Sequence, residues 1–155
     1  MNRFIVLSAA SLWLLAGASA SAQQSTCTGP ESDVRLNVDV EGVRSSAGLI
    51  AVTLYADDQS RFLAKRGSLY VGRVPAQTGT TRVCIHLPRT GVYALAVYHD
   101  ANADRSFDRT GIGLPAEAFG FSNNPRVFLG MPNWSSVRLR VRKTDLRTRI
   151  TLRYP

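Results

Sequence analysis

Two histidines and two cysteines are all that this chain offers to a soft metal. His86 and His99 stand apart, and neither cysteine has a close Cys or His neighbour, so a histidine-rich zinc site is excluded. No Gly-x-Ser-x-Gly elbow, His-Glu-x-x-His pair or P-loop occurs anywhere. The common hydrolase, metalloprotease and nucleotide-binding chemistries therefore lack their residues. Acid is scarce as well: 11 Asp and Glu face 19 Lys and Arg, for a net charge of +8. Such a surface favours anionic partners such as lipopolysaccharide, anionic lipid or acidic polysaccharide. Beyond residue 22 no apolar run is long enough to span a bilayer, so no transmembrane segment is expected in the mature chain.

What is present begins with an export signal. Arg3 is a short positive region, Phe4 to Leu15 is apolar apart from two serines, and Ala18-Ser19-Ala20 and Ala20-Ser21-Ala22 offer small residues to a signal peptidase. The reading is a signal peptide over 1–22, cleaved near Ala22, a polar leader over 23–32, and one domain over 33–155. A periplasmic or secreted protein is expected, and nucleic acid is then not an expected partner. Cys27 and Cys84 both lie in the exported part, and in an oxidising compartment one disulfide is the simple pairing.

The hydrophobic 45% of the chain is arranged with a period of two. Val34, Leu36, Val38 and Val40 alternate with polar residues, as do Thr81, Val83, Ile85 and Leu87. Leu49 to Tyr55 is rich in β-branched residues, and Leu69 to Val74 ends at Pro75, which suggests an edge. Val92 to His99 is apolar on both faces and belongs in the middle of a sheet. Val137, Leu139 and Val141 alternate with arginine, as do Thr148, Ile150, Leu152 and Tyr154. Seven strands without a long helix predict an antiparallel β-sandwich, transthyretin-like or immunoglobulin-like, with one long loop between strands 5 and 6.

The central strand runs into a loop with an oxygen-bearing side chain at every second position: Asp100, Asn102, Asp104, Ser106 and Asp108. Hard oxygen ligands at this spacing can converge on Ca2+. Glycine is missing at the sixth position, and Gly111 stands where a calcium loop carries its twelfth-position glutamate. The other reading is a polar turn whose side chains accept from local N–H groups. His99 and Asp100 adjoin, but neighbouring strand residues point to opposite faces and cannot simply form an acid–base pair. His99 is instead expected to be structural, bonding the loop that follows. An enzyme is not expected, and a hydrolase of unrecognised type is the alternative in that class.

Several stretches together resemble a bacterial secreted family known as domain of unknown function 2141. They are GVYALAVYHD over 91–100, Asn102 with Asp104, Phe107-Asp108, Gly111 to Pro115, and Phe119 to Asn124. Members often carry glycine inside the acidic loop, where this chain has Ala103 and Arg105. The resemblance implies an exported single-domain β-sandwich and no particular activity.

Two further sets of residues carry functional readings. Tyr98, His99, Phe119, Phe121 and Trp134, with Asn123 and Asn124 at the rim, can line a shallow pocket for carbohydrate or peptide; otherwise the aromatics cover the sandwich edge. Arg138, Arg140 and Arg142, then Arg147, Arg149 and Arg153, are expected on one face of a C-terminal hairpin. That face either discourages strand pairing between molecules or binds phosphate and carboxylate groups. The function expected is a non-catalytic envelope module, binding or structural, with Ca2+ as a possible cofactor; the alternative is a polyanion-binding protein.

Overall fold

The computed structural model describes residues 26–155, so the expected signal peptide and the start of the leader lie outside the described residues. Ten strands are described: β1 (Val34–Val43), β2 (Leu49–Ala56), β3 (Tyr70–Pro75), β4 (Gly79–Leu87), β5 (Gly91–Asp100), β6 (Phe119–Phe121), β7 (Val127–Phe128), β8 (Met131–Pro132), β9 (Leu139–Val141) and β10 (Asp145–Thr151). One helical turn, α1 (Trp134–Val137), precedes β9. Its N-cap is Asn133, whose side chain accepts from the Ser135 N–H.

The all-β class is as expected, but the seven-strand count is not. The strands form three sheets: β10-β1-β4, then β3-β2-β5-β6 with β9 also on β5, and the small β7-β8 hairpin. The stretch expected as one long loop after β5 holds β6, β7, β8 and α1. Those strands are two or three residues long, too short for a period-two pattern to show in the sequence.

Alternation decides which side chains enter the core. Leu36, Val38 and Val40 of β1, Val83 and Ile85 of β4, and Ile150 of β10 meet Ile50, Val52, Leu54, Leu95 and Val97 of the second sheet in one cluster. β5 is central as expected, flanked by β2 on one side and by β6 and β9 on the other. β3 is an edge, as Pro75 suggested.

The C-terminal hairpin is the main correction. The 139–151 stretch does not fold back on itself. β9 pairs antiparallel with β5, while β10 crosses to the other sheet and pairs parallel with β1, Arg35 opposite Asp145 through Glu41 opposite Thr151. β1 offers an edge opposite the one that β4 takes, and pairing there sets Ile150 beside Val40 and buries it between the sheets. A local hairpin would forgo that burial. Past β10, Arg153 exchanges backbone hydrogen bonds with Phe119 (3.0 and 2.8 Å), which ties the two sheets along one seam.

Cys27 and Cys84 form the expected disulfide. The leader lies along the outer edge of β4, where the Thr28 N–H donates to the Cys84 carbonyl and the His86 N–H to the Thr28 carbonyl. The bond thus pins an extra backbone segment to a strand that would otherwise present an open edge.

Candidate functional site

The two faces of β5 lead to different places. Leu95 and Val97 enter the core between the sheets, whereas Ala94, Ala96 and Tyr98 point outward. The outer face is covered by two segments without regular periodicity: the 57–68 connection, which lays down Phe62 and Leu63, and the 101–137 excursion, which brings Phe107, Val127 and Trp134. Asp58 holds the first by accepting from the Ser60 N–H and hydroxyl (2.9 and 2.6 Å).

Aromatic rings meet edge-on or tilted around a small floor. Tyr98 meets Phe107 at 5.4 Å between centroids, Phe107 meets Phe119 at 6.2 Å, and Phe119 meets Phe121 at 5.8 Å. Phe62 continues the chain to Phe121 at 6.0 Å and to Tyr55 at 5.2 Å. The floor is Thr53 and Ala96, whose small side chains leave a cleft of about 230 Å³. Arg109 stands at its wall with the guanidinium 5.1 Å from the Phe107 ring centre. Burial raises the hydroxyl pKa of both Tyr55 and Tyr98, so each stays protonated, and the Tyr98 hydroxyl donates to the Arg105 carbonyl at 3.4 Å.

Of the expected pocket residues, the fold brings Tyr98, Phe119 and Phe121 together at the cleft. Trp134 stacks behind them on Phe62 at 5.3 Å. His99 is not there. It faces the opposite side, buried, with Nε2 2.8 Å from the Ala47 carbonyl and Nδ1 3.3 Å from the Tyr154 hydroxyl. It is structural, but it braces the β1–β2 turn and the C-terminus instead of the acidic loop. Asn123 and Asn124 are anchors: Asn123 donates to the Ser136 and Arg138 carbonyls, and Asn124 pairs with the backbone of Arg149 and Thr151. Tyr55, Thr53 and Arg109 were missed. Tyr55 and Thr53 reach the site through the β2–β5 register, which places Thr53 opposite Ala96, and Arg109 reaches it through the excursion after β5, over the Phe107 ring.

The acidic loop borders the same outer face. Asp100 is fully buried, and its carboxylate accepts from the N–H groups of Asp104 and Arg105 at 3.1 and 2.9 Å. Gly48 makes that burial possible: a Cβ there would lie 2.0 Å from the Asp100 carbonyl oxygen. Asn102 accepts from the Asp104 N–H, and its amide donates to the carboxylates of Asp104 (3.0 Å) and Asp108 (3.3 Å). Ser106 contributes its N–H to Asp104 at 2.8 Å. Ala103 and Arg105 take left-handed φ values of 58° and 67°, the conformation that glycine adopts without strain.

Glu117 joins this loop from beyond it, accepting from the Asp108 N–H at 3.1 Å. Burial raises its carboxyl pKa, and the charges of Asp108 and Asp100 raise it further, while the two backbone N–H bonds it accepts, from Asp108 and Ala101, act the other way. As arranged, the loop's oxygens are taken up by its own N–H groups. Among the described residues no three acidic, His or Cys side chains converge closely enough to hold a metal ion.

The six arginines do not share one face, because β9 and β10 belong to different sheets. Arg138 forms a two-pronged pair with Asp57 (2.7 and 2.6 Å), which lowers the Asp57 carboxyl pKa. Arg147 reaches Asp39 at 3.3 Å and Arg149 reaches Glu41 at 3.8 Å. Arg153 donates to the Pro125 carbonyl at 2.8 Å. Arg140 and Arg142 are exposed on or beside β9. The parallel pairing with β1 supplies acid that the hairpin expectation lacked, so the β10 face carries mixed charge.

A family model described as an uncharacterized protein conserved in bacteria (DUF2141) matches residues 38–149. No curated protein and no solved structure matches the chain.

Proposed function

The chain belongs to this bacterial family, DUF2141, and on that premise we propose that it is a non-catalytic binding module whose ligand enters the aromatic cleft on the outer face of the β3-β2-β5-β6 sheet. The observation that carries this reading is the circuit of rings from Tyr55 through Phe62, Phe121, Phe119 and Phe107 to Tyr98 above a floor of alanine and threonine. Aromatic walls with a few polar tips are how proteins hold sugars and small ring compounds. The volume suits one ring, such as a single sugar residue or an aromatic or aliphatic side chain of a peptide. The Tyr55 hydroxyl, the Tyr98 oxygen as an acceptor and one arginine can orient such a ligand, and none of them is a nucleophile with a base beside it, so we read binding and not turnover. The disulfide supports an oxidising, exported setting. A thermal-shift screen of saccharides and small ring compounds tests the reading. A ligand that stabilises the wild type and leaves the cleft-filled Ala96→Leu variant unmoved supports it; one that stabilises both equally binds elsewhere.

A second reading concerns the acidic loop. We propose that it takes one Ca2+ through Asp100, Asn102, Asp104 and Asp108, with Glu117 in place of the carboxylate missing at the twelfth position. What favours this is the arrival of Glu117 against Asp108. Calcium takes about six to eight oxygens. The carboxylates do not converge as the loop stands, so they would have to draw together, and the Asn102 amide would have to turn away from Asp104 and Asp108 and present its oxygen. A melting temperature that neither calcium nor chelator moves would leave the loop as a self-bonded turn.

A further inference from the structure

The largest exposed apolar side chains gather at two neighbouring tips. Ile112 is 84% exposed at the crest of the 110–114 turn, and Phe128, Leu129 and Met131 are 79%, 64% and 51% exposed on the β7–β8 hairpin. The hairpin turn packs on the end of the 110–114 turn: a Cβ on Gly130 would lie 2.6 Å from the Pro115 ring. Only one other large hydrophobic among the described residues is comparably exposed, Leu69 at 45%.

The hairpin turn makes the exposure harder to dismiss. Leu129 and Gly130 both have positive φ, 48° and 78°. A two-residue turn of this kind favours Asn-Gly, because asparagine tolerates the left-handed conformation and leucine does not. The chain accepts a strained backbone there and also gives its leucine to solvent. Both costs disappear with asparagine, so neither serves the turn.

We propose that these two tips are an interfacial anchor that seats the protein on an anionic lipid bilayer. Four side chains of this size present on the order of 500 Å², short of the roughly 800 Å² per partner that a stable protein interface buries. A bilayer has no such threshold, because apolar tips enter the boundary between headgroups and acyl chains individually. Exposed Arg109 and Arg126 flank the turn and the hairpin, and the chain as a whole carries +8, so the attraction is to negative headgroups. Asp108 beside Arg109 is engaged by the Asn102 amide. No helix among the described residues is long and apolar enough to cross a membrane, and this mode of attachment needs none. The four apolar side chains lie outside the cleft, although Arg109 and Gly130 line it as well, and the attachment needs no calcium.

Flotation with vesicles of phosphatidylcholine, with and without phosphatidylglycerol, tests the anchor. The wild type should float with the anionic vesicles and far less with the neutral ones. Phe128→Ser with Leu129→Asn should weaken partition roughly tenfold or more while keeping the melting temperature, since asparagine suits the turn. Ile112→Asn, on the separate turn, should act in the same direction and covers the case in which the hairpin variant fails to fold. Arg126→Gln should weaken binding less, and the difference should shrink in salt. Wild type that ignores anionic vesicles overturns the proposal. So does a doubly substituted hairpin that floats like wild type, since binding would then be charge alone. So does a dimer that the same substitutions split with no effect on vesicles, which would make the tips a contact between copies.

Discussion

Leu95 and Ala96 are neighbours in the chain and opposites in the fold. Leu95 lies in the core between the two large sheets, in a cluster made mostly of fully buried aliphatic side chains. Ala96 lies on the other face of the same strand, half-buried, under rings carried by segments that have no period of their own. One face is filled with leucine, isoleucine and valine. The other combines large rings with small floor residues, and shapes that differ so much in size leave space between them. Close packing holds the domain together on one side, and incomplete packing makes room for a ligand on the other.

The largest expected effect is on the filled face. Leu95→Ala should cost about 3 kcal/mol in chemical denaturation, from lost burial and the cavity left behind. Calcium comes next: if the loop binds it, saturation at a hundred times Kd should add about 2.7 kcal/mol, and Asp104→Ala should abolish the gain. Ala96→Leu, the mirror of the first change, should alter stability by less than about 1 kcal/mol, because the added carbons enter a space that is already open. A large loss there would show that the cleft is closed in solution.

The smallest effect concerns pH. Glu117 keeps its proton to a higher pH in the folded protein than in the unfolded chain. Stability contributed by that proton is therefore lost as pH rises from the ordinary glutamate value through the folded one. Glu117→Gln should raise the melting temperature slightly at neutral pH without calcium and flatten the pH dependence in that window. It should also reduce any calcium response. If it destabilises at every pH, the bond from the Asp108 N–H outweighs the charge.

Much of the filled face was legible in the sequence, and much of the open face was not. Val34 to Val40 and Thr81 to Leu87 announce buried and exposed sides by alternation, and β5 announces its central place by being apolar on both. Alternation does not name a neighbour, however. Leu139, Val141 and Ile150 face inward as their alternation predicts, but Val137 closes α1 and packs on the outer face. The arginine-rich stretches pair with β5 and β1 and not with each other, so that Asp39 and Glu41 meet arginines more than a hundred residues away in sequence. Phe62, Phe107 and Trp134 carry no period, so nothing local says that they roof one cleft. Glu117 falls outside any loop count that begins at Asp100. The positive φ of Ala103 and Arg105, by contrast, falls at the two positions where the family resemblance leads one to expect glycine.

The parallel pairing of β1 with β10 also has a consequence for time. During synthesis β1 finds β4 within some forty residues, but its other edge stays bare until β10, more than a hundred residues after β1, has emerged. Pairings this distant in sequence form slowly, because the chain between them must first be ordered. Until then Ile150 has no place between the sheets and the seam at Phe119 and Arg153 cannot close. A chain that has made every strand before β10 therefore still holds an incomplete sheet, and its core closes only when β10 arrives.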